Sequence, residues 1–392
     1  IGAMSNIYDV IVVGAGPSGA MAAKICAEKG LNVIIIDKQS FPRDKPCGGG
    51  VSKKALDLIN ENLPPSIIEN YVYGFRLYSK NFDCIELKSK EFVGITTDRS
   101  KFDSFLVDLA IKKGAKFLQN GKVVNIEFSD NNAICKLKNG DEIEGKIIIG
   151  ADGAHGIVAR KTNIRQNWKL DEIGIGIEAT ISLENNSLNS FHKNYLELYF
   201  LDIPHGYGWV FPKSESISIG VGYRYDRTIK PRDLFKKFCE RISDYKSITF
   251  SADEFKVHII PAGGFKRNIT NNRVLLVGDA AGFIDPLTGE GIYYALKSGK
   301  IAAQTCYNAI QNGIFTEQYF YNSYQKKCEN EFNKSFRKAI KISSIFYRNT
   351  TLFLNFLKNY SGEGWSDFAT GKRNYEAISF RFIPDYFLKK LL

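Results

Sequence analysis

Residues 44–52 read Asp-Lys-Pro-Cys-Gly-Gly-Gly-Val-Ser, with Cys47 set between a proline and three glycines. A thiol there could be a nucleophile, a metal ligand, or a small side chain in a loop that must press against something flat. The seven cysteines (26, 47, 84, 135, 239, 306, 328) form no C-x-x-C pair, and the four histidines (155, 192, 205, 258) have no ligand spacing. That scatter argues against a metal site and a disulfide framework, and it suits a reducing, cytoplasmic compartment. A nucleophilic thiol needs an activating base or cation; Arg43 and Lys45 stand near it in sequence, with their direction open.

A second group of residues points to phosphate chemistry. Gly14-Ala15-Gly16-Pro17-Ser18-Gly19 is a G-x-G-x-x-G turn. The apolar run YDVIVV precedes it, a helical pattern AMAAKICAEK ending at Gly30 follows, and a second apolar run, LNVIII, ends at Asp37. Strand, glycine turn, helix, strand and terminal acid form the opening unit of a buried parallel sheet that binds a dinucleotide. Its glycines let the backbone approach a pyrophosphate, the helix N-terminus supplies N–H groups, and Asp37 can accept ribose hydroxyls. The motif alone leaves NAD and FAD open, and a bare glycine turn without a ligand is the plainer alternative.

A third group is aromatic. In YGWVFPK, Tyr207, Trp209 and Phe211 alternate, so in a strand they project from one face. Three rings in a row make either an apolar wall for a ligand or ordinary sheet-on-helix core.

The elements that must position these groups follow from the pattern. Residues 102–113 carry helical apolar spacing, GKVVNIEF reads as a strand, and AICKLKNGDEIEG reads as a hairpin turning at Asn-Gly. KIIIGADG is another buried strand, residues 171–262 turn β-rich, and RVLLVGDAAG returns to the first sheet. From about 317 the chain reads as helical, aromatic and basic. Composition is that of a soluble globular chain, 44% hydrophobic and 24% charged, with neither a spanning segment nor a signal-peptide pattern. The net charge of +11 is uneven: 13 Lys/Arg against six Asp/Glu fall between Lys326 and Leu392. A solvated helical surface explains this, and so does a basic face for anionic lipid. Nucleic acid is excluded as a partner because no binding motif accompanies the charge.

Four spaced segments in order along residues 8–310 resemble FAD-dependent enzymes of the p-hydroxybenzoate-hydroxylase-like superfamily. RVLLVGDAAGFIDPLTGEGI implies Asp279 on the ribityl chain of FAD, with Gly289, Gly291 and Ile292 opening a helix aimed at the flavin. IIIGADGAHGIVARK carries Asp152 and Gly153, with Gly156 where a serine is common, and DRSKFDSFL carries Arg99 as the pyrophosphate partner. With Gly14, Ala15, Gly16, Pro17, Gly19 and Asp37, the resemblance adds Lys38, Cys47, Gly48 and Val123 to the cofactor set. FPRDKPCGGGVS and YGWVFPKSESISIGVG are similar to segments of the geranylgeranyl reductase family. They imply Tyr207, Trp209, Phe211, Pro212, Gly220 and Gly222 as substrate-binding residues.

The implied fold is α/β with an α+β second domain: a Rossmann-type FAD-binding domain (4–75, 99–170, 263–316), a β-sheet substrate domain (76–98, 171–262) and C-terminal helices (317–392). The implied reaction is saturation of isoprenoid carbon–carbon double bonds by hydride from reduced flavin, with Cys47, Tyr207 and Trp209 as the catalytic candidates. Aromatic faces would stabilise cationic character at the accepting carbon. The proton donor stays open among Tyr207, a water and His205, and the external reductant between NADPH and ferredoxin. A prenyl-chain molecule or lipid is the implied partner, and the oligomeric state stays open, a monomer being compatible with the pattern. The C-terminal segments, including 378–392, either touch a membrane or cap the substrate domain. An oxygen-using hydroxylase or halogenase on the same scaffold is one alternative, although W-x-W-x-I-P of halogenases stands here as Tyr207-x-Trp209-x-Phe211-Pro212. A flavoprotein that only carries electrons is another. On this reading the Cys47 loop crosses the flavin face, and its thiol shapes what the flavin reaches.

Overall fold

The computed structural model describes residues 7–262, 267–351, 354 and 365–375. Tyr8–Val13 forms the central strand of an eight-stranded sheet, flanked in parallel by Val33–Ile36 and Glu142–Gly150. Val274–Leu276 and Lys116–Leu118 extend it in parallel on either side. Val10, Ile11 and Val12 are wholly buried because helices cover the sheet, which is why this strand reads as an unbroken apolar run. Helix Pro17–Glu28 is rich in Gly and Ala on the surface that meets helix Ile292–Asn312. At Gly299 a Cβ would lie 2.3 Å from the Ser18 carbonyl oxygen, so close helix packing depends on that missing methyl. The hairpin Ala133–Leu137 to Glu142–Gly150 turns through Gly140 at positive φ.

The second sheet has seven strands in the order Lys256–Pro261, Ile173–Ser182, Ser216–Arg224, Gly206–Pro212, Tyr195–Tyr199, Gly74–Tyr78, Cys84–Lys88. Alternation along the strands sorts its two faces. Ile177, Ile219, Val221 and Val210 pack with Phe235, Phe238 and Ile242 of helix Pro231–Lys246, whereas Tyr207, Trp209 and Phe211 point the other way. A small three-stranded sheet, Gly50–Ser52, Gly94–Thr96 and Asn70–Val72, joins the Cys47 loop to this second layer. Past residue 316, a helix at Glu317–Phe320 runs through a wide turn into Lys326–Arg348, and Trp365–Thr370 is helical. The segment 378–392 lies outside the described residues.

Candidate cofactor and substrate site

The first sheet ends at the glycine turn. Gly14 has φ +106°, and a Cβ there would sit 2.2 Å from the Ala151 carbonyl oxygen; one at Gly19 would sit 2.0 Å from the Gly14 oxygen. These two glycines let strand, turn and helix interlock. Gly16 differs: an added Cβ would meet only Arg43 Nη2, at 3.5 Å, so its surface opens to the cleft. The helix it caps has no side-chain cap, and the same holds at Gly291 for the 21-residue helix Ile292–Asn312. Both N-termini line one cavity, an arrangement that suits a cofactor with a pyrophosphate for one and a ring that gains negative charge on reduction for the other.

Ala15 N–H donates to Asp37 Oδ2 at 2.8 Å and Gln39 N–H to Oδ1 at 2.9 Å, so Asp37 is buried at the strand end while Lys38 is exposed. Arg43 is buried and bridges Asp103 (3.1 Å) toward Asp37 (4.0 Å). Arg99 grips Asp103 with two hydrogen bonds of 2.8 and 2.9 Å and reaches the Cys47 thiol. The guanidinium next to Gly16 is therefore that of Arg43, while Arg99, on the other side of Asp103, lines the cavity. Asp152 accepts the Val158 N–H at 2.9 Å, and burial raises its pKa. Its Oδ1 has no partner among the described residues, and a Cβ at Gly156 would stand 2.1 Å from its Cγ. The glycine where a serine is common thus makes room for the Asp152 carboxylate. Asp279 lies 3.5 Å from Lys45 Nζ. Gly153, Asp279, Gly289, Gly291 and Ile292 line the cavity, whereas Val123 packs inside the first sheet's core. The open surface at Gly16 and the paired helix N-termini on one cavity fit FAD.

Cross-strand register builds the opposite wall. Trp209 faces Gly220, which faces Glu178, which faces Lys256; one rung along, Tyr207 faces Gly222, Gly176 and His258. Opposite residues in a sheet share a face, so three glycines leave a flat floor between the aromatic strand and the edge strand. The Trp209 indole lies across Gly220, where a Cβ would be 2.2 Å from Cζ2, and the His258 ring lies across Gly176. Gly222 stays open, its nearest neighbour 3.6 Å from an added Cβ. The ring centroids of Tyr207, Trp209 and Phe211 follow at 6.4 and 6.3 Å. Gly48 packs on Phe211 and Trp209, which seats the Cys47 loop over this wall. Pro212 is buried, and its carbonyl accepts Thr96 Oγ1 and Asn70 Nδ2 at 3.0 and 2.9 Å. Beyond the rings the cavity continues past Phe75, Leu77, Leu87, Val93, Leu196 and Phe200. Its volume of about 1430 Å³ exceeds an ordinary small-molecule pocket, because it spans both the cofactor cleft and the apolar chamber.

Of the polar groups here, the sequence points to Tyr207 and His205 as candidates, whereas it leaves His258, Glu178 and Lys54 unmarked. Tyr207 donates its hydroxyl to the Thr288 carbonyl, and burial holds its pKa well above the usual range. His205 is an exposed turn residue at φ +47°. Burial draws His258 down to about 4, and its Nδ1 has no partner among the described residues. Glu178 is buried, accepts the Cys47 N–H, and is pushed up to about 7 by burial against the opposing charges of Lys213 and Arg99. Lys54 pairs with Glu290 at 2.6 Å; burial opposes its charge, but Glu290 outweighs it and the pKa is raised. The available signal for Glu178 and His258 was an ionisable residue at an inward position of a strand.

The fold and cleft define an FAD-binding oxidoreductase, and the FAD binding domain family model matches residues 7–299. The digeranylgeranylglycerophospholipid reductase of Methanosarcina acetivorans is 34% identical over 339 residues, covering 83% of this chain and 81% of that one. The enzyme of the same name from Methanococcus aeolicus is 29% identical over 96% of this chain and 95% of its own. The crystal structure of a geranylgeranyl bacteriochlorophyll reductase-like protein from Thermoplasma acidophilum superposes with TM-score 0.84 at 26% identity, covering 98% of this chain and 99% of that one. Halogenase PltM shares the fold, with TM-score 0.70 at 18% identity. The chain belongs to the FAD binding domain family and, within it, to the geranylgeranyl reductase family of flavoproteins.

Proposed function

We propose that this flavoprotein saturates the double bonds of geranylgeranyl-type chains carried by a lipid. The observation that carries this reading is the apolar chamber continuous with the cofactor cleft and floored by glycines between aromatic walls. Gly14, Gly16, Asp37, Arg43, Asp152 and Asp279 are the residues that would hold FAD, which supplies a hydride when reduced. The chain's own part is positioning. Tyr207, Trp209 and Phe211 hold an alkene on a water-poor face and offer π-density to cationic character at carbon. Tyr207 keeps its proton on the hydroxyl bound to Thr288. The Cys47 loop limits which carbon comes within reach. The test is anaerobic: reduce the bound flavin, add a digeranylgeranyl glycerolipid, and follow flavin reoxidation with mass spectrometry of the lipid. The expected product gains two hydrogens per double bond; a requirement for oxygen and a hydroxylated product would overturn the reading.

Peripheral contact with a membrane belongs to the same reading. Helix Lys326–Arg348 exposes Lys326, Lys327, Lys334 and Lys341, while Phe346 and Tyr347 on its inner side line the cavity. Each such charge near an anionic surface contributes about 1 kcal/mol. Flotation with anionic vesicles should therefore fall at least about thirtyfold in a Lys334→Glu, Lys341→Glu double variant, and equal flotation removes the contact.

A further inference from the structure

The Cys47 loop is tied to the second sheet at two points, one of which is a buried carboxylate. Lys256, at the outer end of the Trp209 rung, turns to Asp44 as an ion pair. Glu178, one strand inward, has beside it Gly220, which carries no side chain, and it projects from the same face as Trp209. Its carboxylate therefore reaches the loop and accepts the Cys47 backbone N–H. Next to that bond, Gly48 lies against Trp209 and Phe211, and the Cys47 thiol lies within reach of Arg99. The nucleotide-side network of Asp37, Arg43, Asp103 and Arg99 thus ends at the same cysteine that Glu178 holds from the substrate side.

We propose that Glu178 is a positioning residue: bound to the Cys47 amide, it sets the height of the loop above the aromatic strand and hence the gap left for flavin and alkene. The proposal rests on reading this cavity as the flavin and substrate site. Glu178 does not line the cavity, so its effect passes through the loop. A charged acceptor binds an amide about twice as strongly as a neutral one, and this carboxyl titrates near neutrality, so the tie loosens as pH falls. The groups facing it are Lys213 and Arg99, which favour its charge, and Asp98, which opposes it. Around it stand the Lys256–Asp44 pair and His258, one rung along the edge strand. The Cys47 thiol sits on the loop itself.

The experiment uses the FAD-loaded protein and two readouts that do not need turnover. The first is the visible circular dichroism of bound FAD between about pH 5.5 and 8.5. The second is the alkylation rate of the half-buried Cys47 by iodoacetamide, read on its own peptide because Cys84 is exposed. The wild type should show one spectral transition near neutrality. Glu178→Gln should retain FAD, lose that transition, resemble the low-pH wild type, and alkylate about tenfold faster at pH 8. Lys213→Met covers the case in which that variant fails to fold: removing a favourable charge should move the transition up by about one unit. A transition that survives in Glu178→Gln, alkylation within about twofold of wild type, or an unmoved transition in Lys213→Met would each overturn the proposal. None of these outcomes depends on the lipid being the right substrate.

Discussion

The two halves of the cavity are built by different means. On the nucleotide side, the core of the site is one short βαβ unit, with Gly14, Gly16 and Gly19 in one turn and Asp37 at the end of the next strand, and Arg43, Asp152 and Asp279 are added to it from further along the chain. On the substrate side, Tyr207, Gly222, Gly176 and His258 meet only because four strands pair in one register. A cofactor shared by many chemistries is held by a local backbone shape, whereas the substrate wall is a property of the whole sheet. The first half should break as a unit, and the second one rung at a time.

Four sets of variants test that contrast. Gly19→Ala should have the largest effect, since its Cβ would lie 2.0 Å from a backbone oxygen that cannot move. The expected loss is about 3 kcal/mol of stability, read by urea unfolding, together with FAD lost on gel filtration. A stable variant that keeps FAD would mean the turn is more tolerant than its interlocked geometry indicates.

The acid–base pair on the substrate face comes next. His258 has its folded pKa depressed to about 4, so its protonation opposes folding, and stability falls as pH drops from 6.5 toward 4. Glu178 has its pKa raised to about 7, so its stabilising share is complete below 4.5 and is lost as pH rises through 7. The two slopes oppose each other between 4.5 and 6.5. In the apoprotein, Glu178→Gln should therefore become more stable as pH rises from 4 to 6.5, and His258→Gln less stable from 4.5 to 7, each by on the order of 2 kcal/mol. Parallel slopes in the two variants would sink the assignment.

Gly220→Ala places a Cβ 2.2 Å from the Trp209 indole, which must tilt. The expected result is roughly 1–3 kcal/mol lost with FAD retained and turnover sharply reduced. Gly222→Ala, one rung away and open, should leave stability within about 0.5 kcal/mol while changing the product pattern. If the two behave alike, the glycine floor does not hold the alkene. Cys47→Ala and Cys47→Ser give the mildest expected perturbation of fold: FAD retained with an altered number of double bonds reduced, against complete loss of turnover if the thiol does chemistry.

Much of this was legible before folding. YDVIVV, LNVIII and KIIIG announce a sheet buried on both faces, and the spacing of Gly14, Gly16, Gly19 and Asp37 announces a dinucleotide, because that turn and the strand after it are close in sequence. Alternation in YGWVFPK places three rings on one face. The sequence could not say which face was inward, nor that Gly176 would lie opposite Gly222.

By itself, then, the amino-acid sequence determined a dinucleotide-binding turn and a row of aromatic rings, both consequences of short-range geometry, while FAD as the ligand came from the resemblance of spaced segments to a flavoprotein family. Only the tertiary structure decided that Arg43 stands beside Gly16, that Gly156 yields its space to Asp152, and that Glu178 holds the amide of Cys47. Glu178 and Cys47 are 131 residues apart. Contacts of that span arise from strand register and packing density, and no local pattern encodes them.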